Sequence, residues 1–181
     1  MIISAGRNEI FDFAMPMGVG LVDMSINLTK FLCENRKNLP SEIIFVGSAG
    51  LYKEGEILKI YESRSAVNYE ISALYGLSYS PINYEIVARN YANVSYETIT
   101  NSSNFITTDK KSALKFFERG YVLENMEFFA ALKVAQKFQI PAYGIFCATN
   151  FCDSNAHTDF LKNHAAAKEN LTKYLKTKAL I

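Results

Sequence analysis

Two stretches of the chain are apolar without a break. Ile43-Ile44-Phe45-Val46 and Ala142-Tyr143-Gly144-Ile145-Phe146-Cys147-Ala148 have the continuous pattern of strands buried on both faces, not the alternation of half-exposed ones. The first stops at Gly47-Ser48-Ala49-Gly50 and the second at Thr149-Asn150. Met15 to Gly20 reads as a short strand ending in Gly-Val-Gly. The helix predicted after it, Leu21 to Cys33, carries Val22, Ile26, Thr29 and Cys33 on one stripe, with Met24, Leu28 and Phe31 beside it. Apolarity nearly all the way round predicts a helix covered on both sides. Further strands are expected at Glu56 to Tyr61, near Tyr96 to Thr100 and at Tyr121 to Leu123, with loops and short strands from Ser65 to Pro81. Helices are expected at Lys110 to Glu118, Met126 to Phe138 and about Asn155 to Lys176. The last places Phe160, His164, Ala167, Leu171 and Tyr174 on one face.

Fully buried strands interleaved with helices predict an α/β domain with helices on both faces of the sheet. In such sheets ligands bind where strands end, so Gly47 to Gly50 and Thr149-Asn150 are expected to form one site. No repeat or Pro/Gly-rich linker interrupts the chain, and its 181 residues are expected to form a single domain, 1–181. An apolar share of 49% with 20% charged residues is that of an ordinary globular protein. A net charge of +1 offers no electrostatic footprint for nucleic acid or an anionic membrane. No apolar run reaches membrane-spanning length, and the N-terminus lacks a signal-peptide pattern. Cys33, Cys147 and Cys152 make neither an even framework nor a CxxC pair, which fits a reducing, cytoplasmic setting.

The candidate chemistry lies in a few short segments. Gly18-Val19-Gly20 before a helix lacks the third glycine of a dinucleotide fingerprint, with Met24 near its place, which excludes a nicotinamide site. Gly47-Ser48-Ala49-Gly50 lets backbone N–H groups approach a ligand and adds the Ser48 hydroxyl; a tight turn explains it equally well, and no Gly-Lys-Ser/Thr follows to make a P-loop. Asn150 offers a donor and an acceptor that suit a heterocycle, or a cap on the strand's exit. Cys152-Asp153, His157 with Asp159, and His164 are too loosely arranged for a metal. Met126-Glu127 opens an apolar helix about twenty residues after Asn104-Phe105-Ile106. A carboxylate there with an aromatic wall from the earlier loop suits a flat base and a sugar, although helix electrostatics alone also favour Glu in a first turn.

In this order and spacing the segments resemble the nucleoside phosphorylase/nucleosidase superfamily, nearest to its methylthioadenosine/S-adenosylhomocysteine nucleosidase branch. The resemblance runs from Pro16 to the end: Pro16 to Ser25, Ile44 to Gly50, Thr100 to Glu127, then Cys147 to Asn150 and the last helix. It implies a three-layer α/β/α fold with a central mixed sheet, phosphorylase/hydrolase-like. The implied activity is cleavage of a purine nucleoside's N-glycosidic bond through an oxocarbenium-like transition state, with the ribosyl group passing to phosphate or water. By position, Glu127 would hold the ribose hydroxyls, Met126 would pack beneath the sugar, and Ser48, Ala49 and Gly50 would form the ribose-side loop. Phe105 would stack on the base, Ile106 would contact it through its backbone, and Asn150 would stabilise it as it departs. No cofactor or metal is implied, with inorganic phosphate as a co-substrate in the phosphorolytic case. The partner implied is a small nucleoside or purine base, and a homo-oligomer is expected, with the aromatic stretch Tyr84 to Tyr96 as one surface for it.

Three departures bear on the mechanism. Asn150 stands where the nucleosidases and hexameric phosphorylases carry a proton-donating Asp and where trimeric phosphorylases, usually acting on 6-oxopurines, carry Asn, which favours a phosphorylase. Phe45 stands where hexameric phosphorylases carry a phosphate-binding Arg, which favours hydrolysis. Only about fourteen residues precede the Gly-Val-Gly strand. Ala5-Gly6-Arg7-Asn8-Glu9 reads as a contracted first strand and loop, in which Glu9 would activate water and Arg7 would hold phosphate in a phosphorylase. The alternatives are a surface loop and a catalytically impaired nucleoside- or base-binding protein of the same fold.

Overall fold

The computed structural model describes residues 1–87 and 97–181. The two unbroken apolar runs become β3 (Ile43–Leu51) and β8 (Ala142–Phe151), paired in parallel from Ile43 against Ala142 to Leu51 against Phe151. Because side chains alternate along a strand, both sides of this pair must be covered. Ile43, Phe45, Phe146 and Ala148 pack with Met24, Leu28 and Leu32 of α1 (Gly20–Glu34) and Phe128, Ala131 and Leu132 of α4 (Phe128–Lys137). Ile44, Val46, Ile145 and Cys147 pack on the other side against Ala167, Leu171 and Leu175 of α5 (Ala156–Thr177). Burial contributes roughly 1.5–3 kcal/mol for each of the Ile, Val, Leu, Phe and Met side chains among them and less for the alanines and Cys147. The result is the expected α/β arrangement, a mixed sheet with helices on both sides.

The remaining strands are β1 (Ile2–Ser4), β2 (Met15–Pro16), β4 (Ile60–Val67), β5 (Glu85–Val87), β6 (Glu97–Ser102) and β7 (Leu123–Asn125), with the short helix α2 (Ile71–Leu74) and α3 (Lys110–Glu118) between them. β1 lies parallel to β3. The pairings β3–β8, β8–β4, β4–β6, β6–β7 and β7–β3 close on themselves. The middle of the sheet is therefore a ring, with β3 and β8 side by side in it. A register shift falls between Ala49 and Gly50; such irregularities commonly re-aim side chains beside functional sites.

Several expectations need correction. Gly47 to Gly50 and Thr149-Asn150 lie inside β3 and β8, not in loops after them, because the β3–β8 ladder continues past both apolar runs. α1 is covered on one face only: Met24, Leu28 and Leu32 are buried, while Val22 and Ile26 are 60% and 59% exposed. The strand from Met15 stops at Pro16. Gly18 follows at φ 101, where an added Cβ would stand 2.6 Å from Asp23 Cβ, so the turn into α1 requires glycine. The strand expected at Glu56 starts only at Ile60 and runs through Val67, into the region expected to hold loops. β7 begins two residues after Tyr121. Of the Tyr84 to Tyr96 stretch, residues 88–96 lie outside the described residues, as does the first residue of the Tyr96 to Thr100 strand; Tyr84 packs edge-on against Tyr69.

Candidate active site

At the ends of β3 and β8 a cavity of about 270 Å³ opens, near the lower limit of small-molecule pockets, roughly 300–1,000 Å³. Arg7, Glu9, Ser48, Ala49, Gly50, Ile106, Met126, Glu127 and Asn150 all line it. The structure thus gathers residues spread over 144 positions. Phe105 is not among the lining residues; it sits beside Ile106 with 79% of its surface exposed.

Glu127 occupies the residue before α4, yet its side chain serves a different helix. Its Oε1 accepts the Gly20 N–H at 2.8 Å, satisfying one of the unpaired donors at the start of α1. The next donor, Leu21 N–H, goes to Asn104 Oδ1 at 2.9 Å, which sets the Phe105-Ile106 loop beside α1. The residue that orients Glu127 is Asn125. Its Oδ1 accepts the N–H groups of Glu127 and Phe128, both at 2.9 Å, and its Nδ2 donates to Ser48 O at 3.1 Å. Sequence reasoning assigned Asn125 no role, although an Asn two or three residues before a helix is a recognisable cap signal.

The short N-terminal segment supplies β1 and then Glu9. Glu9 Oε1 accepts the Ser48 N–H at 2.7 Å and also the Ser48 hydroxyl. Ser48 thereby joins Glu9, through its N–H and hydroxyl, to Asn125, through its carbonyl, and Asn125 in turn holds the backbone N–H of Glu127. Burial pushes the Glu9 carboxyl above its ordinary range, opposed by the two bonds from Ser48. Glu127 is pushed up to about 8, first by burial and then by the negative charge of Glu9, while the Gly20 N–H pulls it back. Two buried carboxyl groups whose proton affinities are both raised, that of Glu127 in part by the charge of Glu9, are suited to holding and moving a proton.

The far end of the cavity is built around Gly50. Gly50 stands level with Asn150 on β8 and with Glu124 on β7, and both line the cavity. A Cβ at Gly50 would come within 2.9 Å of Cys152 Sγ and 3.0 Å of Asn150 Nδ2, so only glycine leaves this space open. Asn150 Oδ1 accepts the Thr149 hydroxyl at 2.9 Å and Nδ2 donates to Phe151 O at 3.0 Å. An amide carries two N–H donors, so one hydrogen remains for a ligand. His157 and Phe160 of α5 complete the wall; their nearness was not legible from their spacing. Among the described residues no group of three His, Cys, Asp or Glu is placed to hold a metal. Nor is any described helix long and apolar enough to cross a membrane.

No family model and no curated protein matches the sequence. Solved structures match over nearly the whole chain. A mutant futalosine hydrolase of Helicobacter pylori aligns at TM-score 0.79 with 16% identity, covering 97% of this chain and 95% of that one. A mutant Helicobacter pylori methylthioadenosine nucleosidase with 5′-methylthioadenosine in its active site gives the same values. The Streptococcus pneumoniae 5′-methylthioadenosine/S-adenosylhomocysteine nucleosidase with a transition-state inhibitor aligns at 0.75 with 12% identity, covering 96% and 95%. The chain has the nucleoside phosphorylase/nucleosidase fold. Within that fold, the motif resemblance is carried by elements that the tertiary structure brings to one cavity.

Proposed function

We propose that the protein hydrolyses the N-glycosidic bond of a purine nucleoside. The observation that carries this is the convergence of Glu9 and Glu127, close enough for the charge of one to act on the other, on one cavity that the Asn150 amide also lines. A ribosyl transition state gains positive charge, and carboxylates held out of water stabilise such charge far better than solvated ones. In this reading Glu127 holds the ribose hydroxyls, Met126 packs beneath the sugar, and Ser48, Ala49 and Gly50 border it. Glu9, whose proton affinity is raised by burial, takes a proton from the attacking water. The free N–H of Asn150 bonds the departing base, which gains electron density as the bond breaks. Ile106 contacts the base through its backbone, and Phe105 turns its exposed ring inward to stack on it.

Water is favoured over phosphate because Phe45, at the phosphorylase Arg position, is a buried core residue, and because the similar solved structures are described as a hydrolase and nucleosidases. Arg7 lines the cavity and is the cation that would hold phosphate were it the nucleophile. A second copy of the chain would cover Val22, Ile26 and Phe105, which are exposed on α1 and on the loop that Asn104 ties to its start. Three unpaired thiols suit the cytoplasm, where the reaction would belong to purine nucleoside metabolism and salvage.

The test is base release from inosine, adenosine and 5′-methylthioadenosine, with and without phosphate. Release without phosphate is expected, and Glu127→Gln should lower turnover by roughly 100-fold or more. Release only with phosphate would replace water by phosphate and give Arg7 its role. Binding of all three without release would make the protein a nucleoside-binding module.

A further inference from the structure

Glu124 is a third carboxyl group of the cavity, 6% exposed, and the ribose chemistry leaves it unused. A purine leaves a sugar most readily when it takes up a proton as the bond breaks, and an amide such as Asn150 has no acidic proton to give. Glu124 stands on the opposite side of Gly50 from Asn150, level with it in the sheet, at the end of the cavity assigned to the base. We propose that Glu124, as a neutral carboxylic acid, donates the proton to the departing purine; the proposal rests on the nucleoside-hydrolase reading above.

The groups around Glu124 suit both of its states. Oε2 accepts the Thr107 N–H at 2.9 Å and faces Cys152 Sγ at 3.6 Å. A backbone N–H can only donate, which reserves Oε2 as an acceptor and leaves the acidic proton to Oε1. Oε1 is met by two hydroxyls, Tyr52 OH at 3.0 Å and Thr107 Oγ1 at 2.5 Å. Hydroxyls rotate and can accept as well as donate. They tolerate an O–H on Oε1 before the step and turn to donate to the carboxylate after it. Asn101 Nδ2 holds the Tyr52 oxygen in place at 2.9 Å. Burial pushes the carboxyl upward, which keeps the proton available, while the donors around it receive the charge once the proton has gone.

The C1′–N bond breaks with its electron pair going to the base, and a ring nitrogen takes the Glu124 proton. The water oxygen bonds C1′ and its proton passes to Glu9. Free sugar and neutral base leave, Glu9 gives its proton to solvent, and Glu124 regains one.

The experiment compares two substrates in the intact protein and in Glu124→Gln. A purine nucleoside needs a proton on its leaving group; p-nitrophenyl β-ribofuranoside, with the same sugar, does not. The substitution should lower kcat for the nucleoside by at least roughly 100-fold and change that for the nitrophenyl riboside by less than about threefold. Equal loss on both substrates, or loss on neither, would overturn the proposal. In the unsubstituted protein, kcat for the nucleoside should decline on the alkaline side while kcat for the nitrophenyl riboside does not; loss of the Glu127 proton would change both alike. A nucleoside profile without that decline would overturn the proposal even if the variant failed to fold. If the unsubstituted protein cleaves no nucleoside under any condition, the hydrolase reading itself has failed, a result distinct from one in which Glu124→Gln leaves working hydrolysis intact.

Discussion

Replacing Asn125 by alanine should damage the protein more than any change of surface polarity could, and the structure allows the loss to be worked out. The side chain is 6% exposed and makes three hydrogen bonds: the N–H groups of Glu127 and Phe128 to its Oδ1, and its Nδ2 to Ser48 O. Loss of the helix cap costs about 1 kcal/mol, and each remaining buried partner left without a bond costs about another 1 kcal/mol or more. The expected total is about 3 kcal/mol, which for a chain of this length lowers Tm by roughly 6–12 °C. Urea denaturation should show the midpoint falling with an unchanged slope. Asn125→Ser keeps an oxygen that can cap α4 but cannot reach Ser48, so it should recover about 1 kcal/mol of the loss. If the alanine variant lost less than about 1 kcal/mol, or serine recovered nothing, the claim that this side chain ties α4 to β3 would be wrong.

Two further outcomes are expected. Because Glu127 titrates at about 8 in the folded protein against an ordinary 4.5, the folded state holds a proton that the unfolded chain has released between those values. Stability should therefore fall as pH rises through that window. The difference in urea midpoint between Glu127→Gln and the unsubstituted protein should move in favour of the variant from pH 5 to pH 8, and a constant difference would refute the assignment. Gly50→Ala would force a methyl group against Cys152 Sγ and Asn150 Nδ2 at an overpacking cost of about 1–3 kcal/mol. Adenine affinity by calorimetry should fall with it, and the double variant that also carries Cys152→Ala should recover part of the stability; unchanged adenine binding in Gly50→Ala would show that the space beside Asn150 is not used.

Local patterns carried much of the fold. α3 runs over the residues its sequence predicts, and the unbroken runs at Ile43 and Ala142 become β3 and β8 because two-sided burial is written directly into consecutive residues. The pattern misled where burial depends on partners. The Val22-Ile26 stripe reads as apolar as the Met24-Leu28 stripe, but only the second meets α4 and the sheet. Glycines at 47 and 50 read as a loop, but the β3–β8 ladder holds them in a strand.

The sequence by itself determined the element types, the buried strand pair and the set of polar residues available for chemistry, because these depend on propensities and periodicities within a few positions. Tertiary structure alone decided which of them act together. Glu127 reaches Gly20 across 107 positions, Asn125 reaches Ser48 across 77, and Ser48 reaches Glu9 across 39. Such meetings are set by strand order, register and the closure of the ring, and a carboxylate's proton affinity follows from the burial and neighbouring charge that result. Glu124 lies in the same short segment as Glu127, yet its distinct environment of Tyr52, Thr107 and Cys152 exists only once those distant strands and loops have closed around it.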